Sequence, residues 1–185
     1  LDFPYAVAVD AQNNLYIYDG FNYRIRRVTP QGIISTFAGN GRNEFSGDGG
    51  SALNAGLGFV EDMVFDNDGN LLIGALNRVR SISPNGVIRT IAGTGQFGTQ
   101  GNGGLATQAQ LQGVAALAVD RNGLIYVGTY GNQIRRISRE GVISAFAGTG
   151  QRGYSGDGGP ASAATFDAIL ALIVDAQGNV FVSDS

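Results

Sequence analysis

The sequence contains no cysteine, histidine, lysine or tryptophan, and these absences remove several chemistries at once. Without cysteine there is no disulfide, no thiolate nucleophile and no cysteine zinc site. Without histidine the commonest general base and the commonest transition-metal ligand are missing. A serine also lacks the histidine or lysine that activates it in hydrolases. We therefore predict no catalytic residues, no metal site and no cofactor.

Charge and hydropathy give further limits. The 185 residues carry a net charge of -3, which disfavours nonspecific binding to nucleic acid, because such binding requires many cationic contacts to phosphates. No apolar run approaches the roughly 20 residues of a membrane span. Since 43% of the residues are hydrophobic, we expect a packed core. The segment LDFPYAVAVD has no initiator methionine or signal-peptide pattern, so we expect a chain processed, trimmed or excised from a longer one.

What the sequence does contain is an internal repeat. The segment VDAQNNLYIYDGFNYRIRRV returns as FDNDGNLLIGALNRVRSI and again as VDRNGLIYVGTYGNQIRRI, and a fourth copy, VDAQGNVFVSDS, stops halfway. The recurring aspartates lie 56, 54 and 55 residues apart, at Asp10, Asp66, Asp120 and Asp175. Nothing helical recurs within the period, which indicates one multistranded unit per repeat.

Each repeat holds four short runs with strand character, which in the first copy are YAVAV, NLYIY, YRIRRV and IISTFA. The recurring aspartates stand in the turn between the first two runs, where their side chains would accept backbone N–H groups. Four antiparallel strands repeated at this period predict the blades of a β-propeller. A β-sandwich or meander barrel is the competing architecture, but neither requires a copy of this length.

The pattern VAVD…GNLYI.D…N.RIRR…G.I.T.AG resembles the NHL-repeat propellers over nearly the whole chain. The connector SGDGGPA is similar to that of bacterial members, and related segments occur in teneurin-like surface proteins. The second copy departs from the pattern, because GALNRVRSI is one residue shorter. The resemblance implies a propeller that commonly has six blades and binds proteins, RNA or glycans, and an exported or extracellular bacterial protein. A minority of similar propellers are metal-dependent lyases or hydrolases, so fold does not settle function.

The repeats predict blade 1 at residues 1–56, blade 2 at 57–110, blade 3 at 111–165 and the first two strands of blade 4 at 166–185. Three and a half blades do not close a ring, and the last hairpin leaves an unpaired sheet edge. We therefore expect either a fragment of a propeller with six or more blades or a ring completed by another chain. Self-association through the open edge is part of this expectation.

Antiparallel alternation assigns the loops to two faces. Both tight turns of each repeat lie on one face, and the loop between the second and third strands lies on the other with the long connector. Because loops on a rigid scaffold carry binding residues, we expect partner contacts on this long-loop face at Phe21, Tyr23, Arg42, Phe45, Phe97, Tyr130, Arg152 and Tyr154. In the alternative interpretation, Phe45, Phe97 and Tyr154 hold one recurring position in the connectors and pack each loop onto its blade.

The connectors contain glycine clusters such as GTGQRGYSGDGG, which matches GxGxxG. No helix follows this motif, so it does not predict a dinucleotide site. Asp48 and Asp157 align with Asn102, and loss of the charge in one copy argues against a metal site. We predict that these three residues form Asx turns, for which the shared side-chain oxygen suffices.

Arginines recur in NYRIRR, NRVR and NQIRR. They would form either a basic stripe for phosphates or structural contacts in which each guanidinium bonds a carbonyl or a recurring aspartate between blades. The second interpretation is favoured by the fifteen acidic residues and the absence of lysine.

Two classes of function follow. The favoured one is a noncatalytic scaffold that binds a protein or glycan partner on its long-loop face. The alternative is part of a metal-dependent propeller lyase or lactonase, which would need acidic or histidine side chains at the axial ends of the first strands. Those positions offer carboxylates only at Glu61 and Asp62, and neighbours on a strand point to opposite faces. An RNA-binding propeller is a second alternative.

Overall fold

The computed structural model describes residues 1–185, which form fourteen strands and four 3-10 helices of three residues each. The strands are β1 (Pro4–Val9), β2 (Leu15–Asp19), β3 (Arg24–Val28), β4 (Ile34–Ala38), β5 (Val60–Phe65), β6 (Leu71–Ala75), β7 (Arg78–Ile82), β8 (Ile88–Ala92), β9 (Val114–Val119), β10 (Ile125–Thr129), β11 (Gln133–Ile137), β12 (Ile143–Ala147), β13 (Ile169–Val174) and β14 (Val180–Asp184). The 3-10 helices span Gly20–Asn22, Ala52–Asn54, Ala106–Gln108 and Ala161–Ala163. No helix is long and apolar enough to cross a membrane.

The strands form three four-stranded sheets, β1 to β4, β5 to β8 and β9 to β12, and one hairpin, β13 with β14. Every pair is antiparallel and joins strands consecutive in the chain. The first strands β1, β5, β9 and β13 contact their counterparts in the neighbouring sheets, so they surround a common axis. The predicted all-β architecture, with three complete blades and the first half of a fourth, is confirmed.

The turns between the first two strands of the blades are closed by the recurring aspartates. In blade 1, Asp10 Oδ1 accepts the N–H groups of Gln12 and Asn14 at 2.9 and 2.8 Å. In blade 3, Asp120 makes the equivalent contacts with the second and fourth residues after it. The same pattern occurs at Asp66 and Asp175. These turns define the short-turn face of the molecule.

Three hydrophobic clusters lie between the blades rather than within them. The first joins blade 1 to blade 2 and includes Tyr18 and Ile73, which are both fully buried. Two more clusters join blade 2 to blade 3 and blade 3 to the last hairpin. Each blade is therefore stabilised by apolar contact with its neighbours. Exposed apolar side chains lie at both ends of the series, at Val7 and Val9 of β1 and at Ile173 and Phe181 of the last hairpin.

Each first strand is irregular at its start. The pairing of β5 with β6 skips Glu61, and the pairings of β9 and β13 skip Ala115 and Leu170 in the same way. In β1 the shift falls between Pro4 and Val7. A bulge re-aims a side chain and is common next to functional sites. All four bulges lie near the axis, at the end of the blades opposite the short turns. We call this end the long-loop face.

Candidate functional site

The first two long connectors are fixed against the next blade and do not stand free on the long-loop face. Ser51 forms an antiparallel bridge with Val87 in the outer turn of blade 2, and Leu105 does the same with Val142 in blade 3. The short helices at Ala52–Asn54 and Ala106–Gln108 follow these bridges. The connectors therefore contribute to the junctions between blades.

A buried arginine holds the first connector. Arg80 is fully buried, and its Nε and Nη2 donate to Asp48 Oδ1 at 2.9 and 2.6 Å. Its Nη1 donates to the carbonyl oxygen of Gly56, and Nη2 also donates to that of Ser46, both at 2.8 Å. The second carboxylate oxygen of Asp48 accepts the N–H and hydroxyl of Thr90 at 2.9 and 2.6 Å. The structural interpretation of this arginine is therefore the one that the contacts support.

The next junction repeats the arrangement with a neutral side chain. Arg135 Nε and Nη2 donate to Asn102 Oδ1 at 3.1 and 2.8 Å, and Nη1 donates to the carbonyl oxygen of Gln110 at 2.6 Å. The predicted Asx turns at Asp48 and Asn102 are therefore wrong: both side chains accept from an arginine of the following blade. Charge is dispensable here because an amide oxygen accepts the same two N–H groups.

The outer members of the series lack this contact. Arg26, the equivalent of Arg80 in blade 1, has a buried Nε without a hydrogen-bond partner and lies 3.7 Å from Asp19. Asp157 in the third connector is exposed and lies 3.4 Å from the hydroxyl of Tyr154. The prediction of an Asx turn at Asp157 is also wrong, because the Asp157 side chain accepts no backbone N–H.

The predicted connector residues have separate surroundings. Phe45 lies under two guanidinium groups, with Arg78 at 3.8 Å and Arg80 at 4.6 Å from its ring centroid. Phe45 stands two residues before Gly47, and Tyr154 stands two residues before the equivalent Gly156. Tyr154 is nevertheless 82% exposed. Phe97 does not share this position, because it stands four residues before the equivalent Gly101, and the prediction of one common position is wrong there.

The predicted Arg42, Arg152 and Tyr23 also lie apart. Arg42 is exposed, and Arg152 pairs with the two carboxylate oxygens of Asp167 through its Nε and Nη2. Tyr23 ends the first 3-10 helix in a left-handed conformation, with φ of 47°.

Two predicted residues, Phe21 and Tyr130, take part in one exposed group at the axial end of the long-loop face. The Phe21 and Phe3 rings are stacked with centroids 5.0 Å apart and planes 21° apart. Phe3 is stacked on Tyr5 at 6.1 Å, and Tyr5 meets Phe59 edge to face at 5.2 Å. We call this group, together with Glu61, the axial cluster: Phe3, Tyr5, Phe21, Phe59, Glu61 and Tyr130.

Glu61 connects the aromatic part of the axial cluster to Tyr130. Its carboxylate is the largest cause that raises the pKa of Tyr5, followed by burial. The pKa of Tyr130 is also raised, first by burial and then by the charge and hydrogen bonding of Glu61. The charge of one carboxylate thus raises the pKa of both phenols. Four of the aromatic rings are at least half exposed: Phe3 at 52%, Tyr5 at 50%, Phe21 at 59% and Tyr130 at 56%.

Sequence reasoning identified Phe21 and Tyr130 but missed Phe3, Tyr5 and Phe59. These three residues precede or begin a first strand. There, the alternation of side chains along a strand predicts only contacts with neighbouring blades, and not a cluster at the strand ends. The aromatic residue seven positions before the recurring aspartate, at Phe3 and Phe59, was the available signal. The third copy has Gly113 there, and the space is filled by the ring of Tyr130, which lies 2.6 Å from the position that a Cβ of Gly113 would take.

Asp62, next to Glu61, has a different environment. Its Oδ1 accepts the N–H of Met63 at 2.8 Å, and its Oδ2 accepts that of Leu117 in the neighbouring first strand at 2.7 Å. Burial raises its pKa against these two hydrogen bonds. Oδ2 therefore joins blade 2 to blade 3, whereas Oδ1 bonds within β5. No group of three or more acidic side chains converges in the structure.

No protein-family model matches the chain. Among curated proteins, teneurin-4 of Mus musculus is 30% identical over 208 residues, in an alignment that covers 98% of this chain and 7% of teneurin-4. Teneurin-3 of the same species is 29% identical over 161 residues, covering 79% of this chain and 6% of that protein. The chain thus spans less than a tenth of the length of these relatives.

Similar solved structures cover nearly the whole chain. A Bacteroides thetaiotaomicron protein of unknown function has a TM-score of 0.74 at 22% identity, covering 98% of this chain and 44% of that one. An auxiliary nutrient binding protein from Bacteroides ovatus has a TM-score of 0.72 at 17% identity, with 98% and 45% covered. A gluconolactonase from Xanthomonas campestris has a TM-score of 0.64 at 17% identity, with 98% and 56% covered. At these identities the likeness concerns the fold, and the chain has a β-propeller fold.

Proposed function

We propose that this chain is a noncatalytic NHL-type propeller module that binds a protein or glycan partner on its long-loop face, through the axial cluster. The observation that carries the proposal is a contiguous set of exposed aromatic rings on the ends of rigid strands. Exposed apolar patches with polar groups in them are typical of binding surfaces. Aromatic side chains are also enriched where binding energy is concentrated.

The distribution of the other side chains supports this choice of surface. Arg80 and Arg135, which donate hydrogen bonds to the connectors, are buried in the junctions between blades and do not face a partner. The axial cluster carries a carboxylate and no cation, which disfavours a phosphate backbone as ligand. The nutrient-binding protein among the similar folds is consistent with a binding role for this scaffold.

The test compares one binding surface with one matched control surface. The protein is screened against an oligosaccharide array and a random peptide display library, with Phe21→Ala and Tyr130→Ala as cluster variants. Ile33→Ala is the control, because Ile33 is an exposed apolar residue in the turn between the last two strands of blade 1.

A ligand from either panel should bind at least about tenfold more weakly to both cluster variants, which corresponds to about 1.4 kcal/mol. The control variant should bind like the unmodified protein. Ligands that bind all variants equally, or no ligand in either panel, would contradict the proposal.

A further inference from the structure

We propose that the axial cluster binds a neutral carbohydrate chain, with a pyranose ring on the exposed face of the Phe21 ring, which is stacked on Phe3, and sugar hydroxyls hydrogen-bonded to Glu61. This inference rests on the proposed function and names the ligand class for the same surface. It is carried by the exposed aromatic stack, by the polar group of the same cluster, and by a comparison of the repeats.

The aromatic part is an exposed stack of rings. The planes of Phe3, Phe21 and Tyr5 differ by 21° and 25° across the two stacked pairs, and all three rings are at least half exposed. A pyranose ring presents a face of C–H bonds, and the negative face of an aromatic ring attracts such positively polarised hydrogens. With centroids 5.0 Å apart, the Phe21 and Phe3 rings are stacked on each other, so one pyranose ring packs on the outer face of this stack.

The platform is held by the backbone. Phe3 has a φ of 52°, which is unusual for an aromatic residue. Gly20 donates its N–H to the Phe3 carbonyl at 3.1 Å, and Phe21 donates to the Asp2 carbonyl at 3.2 Å. The Asp19 carboxylate accepts the N–H of Asp2 at 2.6 Å. A Cβ on Gly20 would lie 2.6 Å from the Phe3 oxygen, so glycine is required for this approach. Strained backbone that its surroundings hold in place is concentrated at binding sites, and here it fixes the Phe3 ring before a ligand arrives.

The polar part matches vicinal hydroxyl groups. The Glu61 carboxylate accepts hydrogen bonds only, whereas the hydroxyls of Tyr5 and Tyr130, whose pKa values its charge raises, both donate and accept. Two hydroxyls on neighbouring sugar carbons can each donate a hydrogen bond to one oxygen of a carboxylate. Because the axial cluster contains no cation, its charge selects against uronates and other acidic sugars.

The repeats provide an internal comparison. Tyr5, Glu61, Ala115 and Leu170 occupy the same position, five residues before the recurring aspartate. Ala115 and Leu170 form equally regular bulges in their blades, so neither a phenol nor a carboxylate is needed for the bulge itself. The aromatic and acidic side chains are concentrated where blades 1 and 2 meet.

The experiment is a titration of the protein with three neutral pentasaccharides: cellopentaose, maltopentaose and chitopentaose. Binding is followed by calorimetry and by tyrosine fluorescence, which is not masked because the chain has seven tyrosines and no tryptophan. At least one of the three should bind with a dissociation constant in the micromolar to millimolar range. Phe21→Ala and Glu61→Gln should weaken that binding at least about tenfold, and Ile33→Ala should leave it unchanged.

Tetragalacturonate serves as the acidic probe and should bind more weakly than the preferred neutral chain. Failure of all three neutral probes to bind would overturn the inference, as would equal binding by the cluster variants or a preference for tetragalacturonate. If peptides selected on the same protein lose binding in Phe21→Ala while no sugar binds, the proposed function stands and the carbohydrate inference fails.

Discussion

Arg80 and Asp48 lie 32 residues apart in the chain and form a two-point contact across the junction of blades 1 and 2. The guanidinium is fully buried, whereas the carboxylate is about one-third exposed. A buried guanidinium is tolerated only when its N–H groups are satisfied. Asp48 is the one partner of the Arg80 Nε, whereas the carbonyls of Gly56 and Ser46 accept from the other two nitrogens, so the connector and the blade stabilise each other.

Removing the Asp48 side chain should destabilise the protein measurably. Asp48→Ala leaves Arg80 buried with carbonyl partners only, and we expect a loss of about 2 to 4 kcal/mol in the free energy of unfolding. Asp48→Asn should cost less, about 1 to 2 kcal/mol, because its Oδ1 can accept from Arg80 as Asn102 does from Arg135, whereas its Nδ2 cannot accept the Thr90 N–H. Urea unfolding followed by circular dichroism measures both.

Asp157→Ala is the matched control, because Asp157 stands in the same SGDGG motif without an arginine partner. Its effect should stay within about 0.5 kcal/mol. Equal losses for Asp48→Ala and Asp157→Ala would show that the motif, and not the arginine contact, is what stabilises the connector.

Acid should weaken the same junction. Burial alone would raise the pKa of Asp48, but hydrogen bonds from Thr90 and Arg80 and the charge of Arg80 outweigh it and lower the pKa. A lowered pKa in the folded state stabilises the protein above the unfolded value of about 3.9, and this stability is lost as the pH falls through the folded value. The difference in unfolding free energy between the unmodified protein and Asp48→Asn should therefore shrink on acidification from pH 7 toward pH 3. A difference that stays constant would refute this assignment.

The repeat made the fold predictable from the sequence, whereas the candidate site depends on contacts between different blades. The positions of Asp10, Asp66, Asp120 and Asp175 established the blades, because the same turn chemistry must recur wherever the same hairpin recurs. The axial cluster cannot be found in this way, since Phe21 and Tyr130 come from the loop between the second and third strands, Glu61 comes from the start of a first strand, and the three lie in different repeats. The role of Asp48 was missed for a related reason: its partner lies in the next blade, and local sequence suggested a local turn.

Glycine substitutions should separate steric from conformational cost. Gly93 has a φ of 89°, and a Cβ there would lie 2.1 Å from the carbonyl oxygen of Asn77. Gly86 has a similar φ of 79° with nothing within 4 Å of its Cβ position. Gly86→Ala should cost about 1 kcal/mol for the left-handed conformation alone. Gly93→Ala should cost at least about 2 kcal/mol more, because the backbone of the loop between β6 and β7 must move. Thermal or urea unfolding of the two variants decides this, and similar losses would rule out the steric contribution.

The tyrosines of the axial cluster should report the Glu61 carboxylate directly. Glu61→Gln removes the charge that is the largest cause of the raised pKa of Tyr5, so that pKa should fall toward 10. The pKa of Tyr130 should fall by a smaller share of its shift, because burial is its largest cause. Titration of the tyrosine Cζ resonances by NMR gives each value, with Tyr5→Phe and Tyr130→Phe for assignment.

Tyr126 is the internal control, since its raised pKa arises first from burial and then from Asp120. Its titration should not change in Glu61→Gln. The direction of these pKa shifts also predicts the stability of the protein at alkaline pH. A phenol whose pKa is raised by folding contributes stability below about pH 10, and this stability is lost as the pH rises. Glu61→Gln should therefore lose less stability than the unmodified protein between pH 9 and pH 11. Unchanged titrations of both Tyr5 and Tyr130 would show that Glu61 does not lie between them, and would remove the polar half of the proposed carbohydrate site.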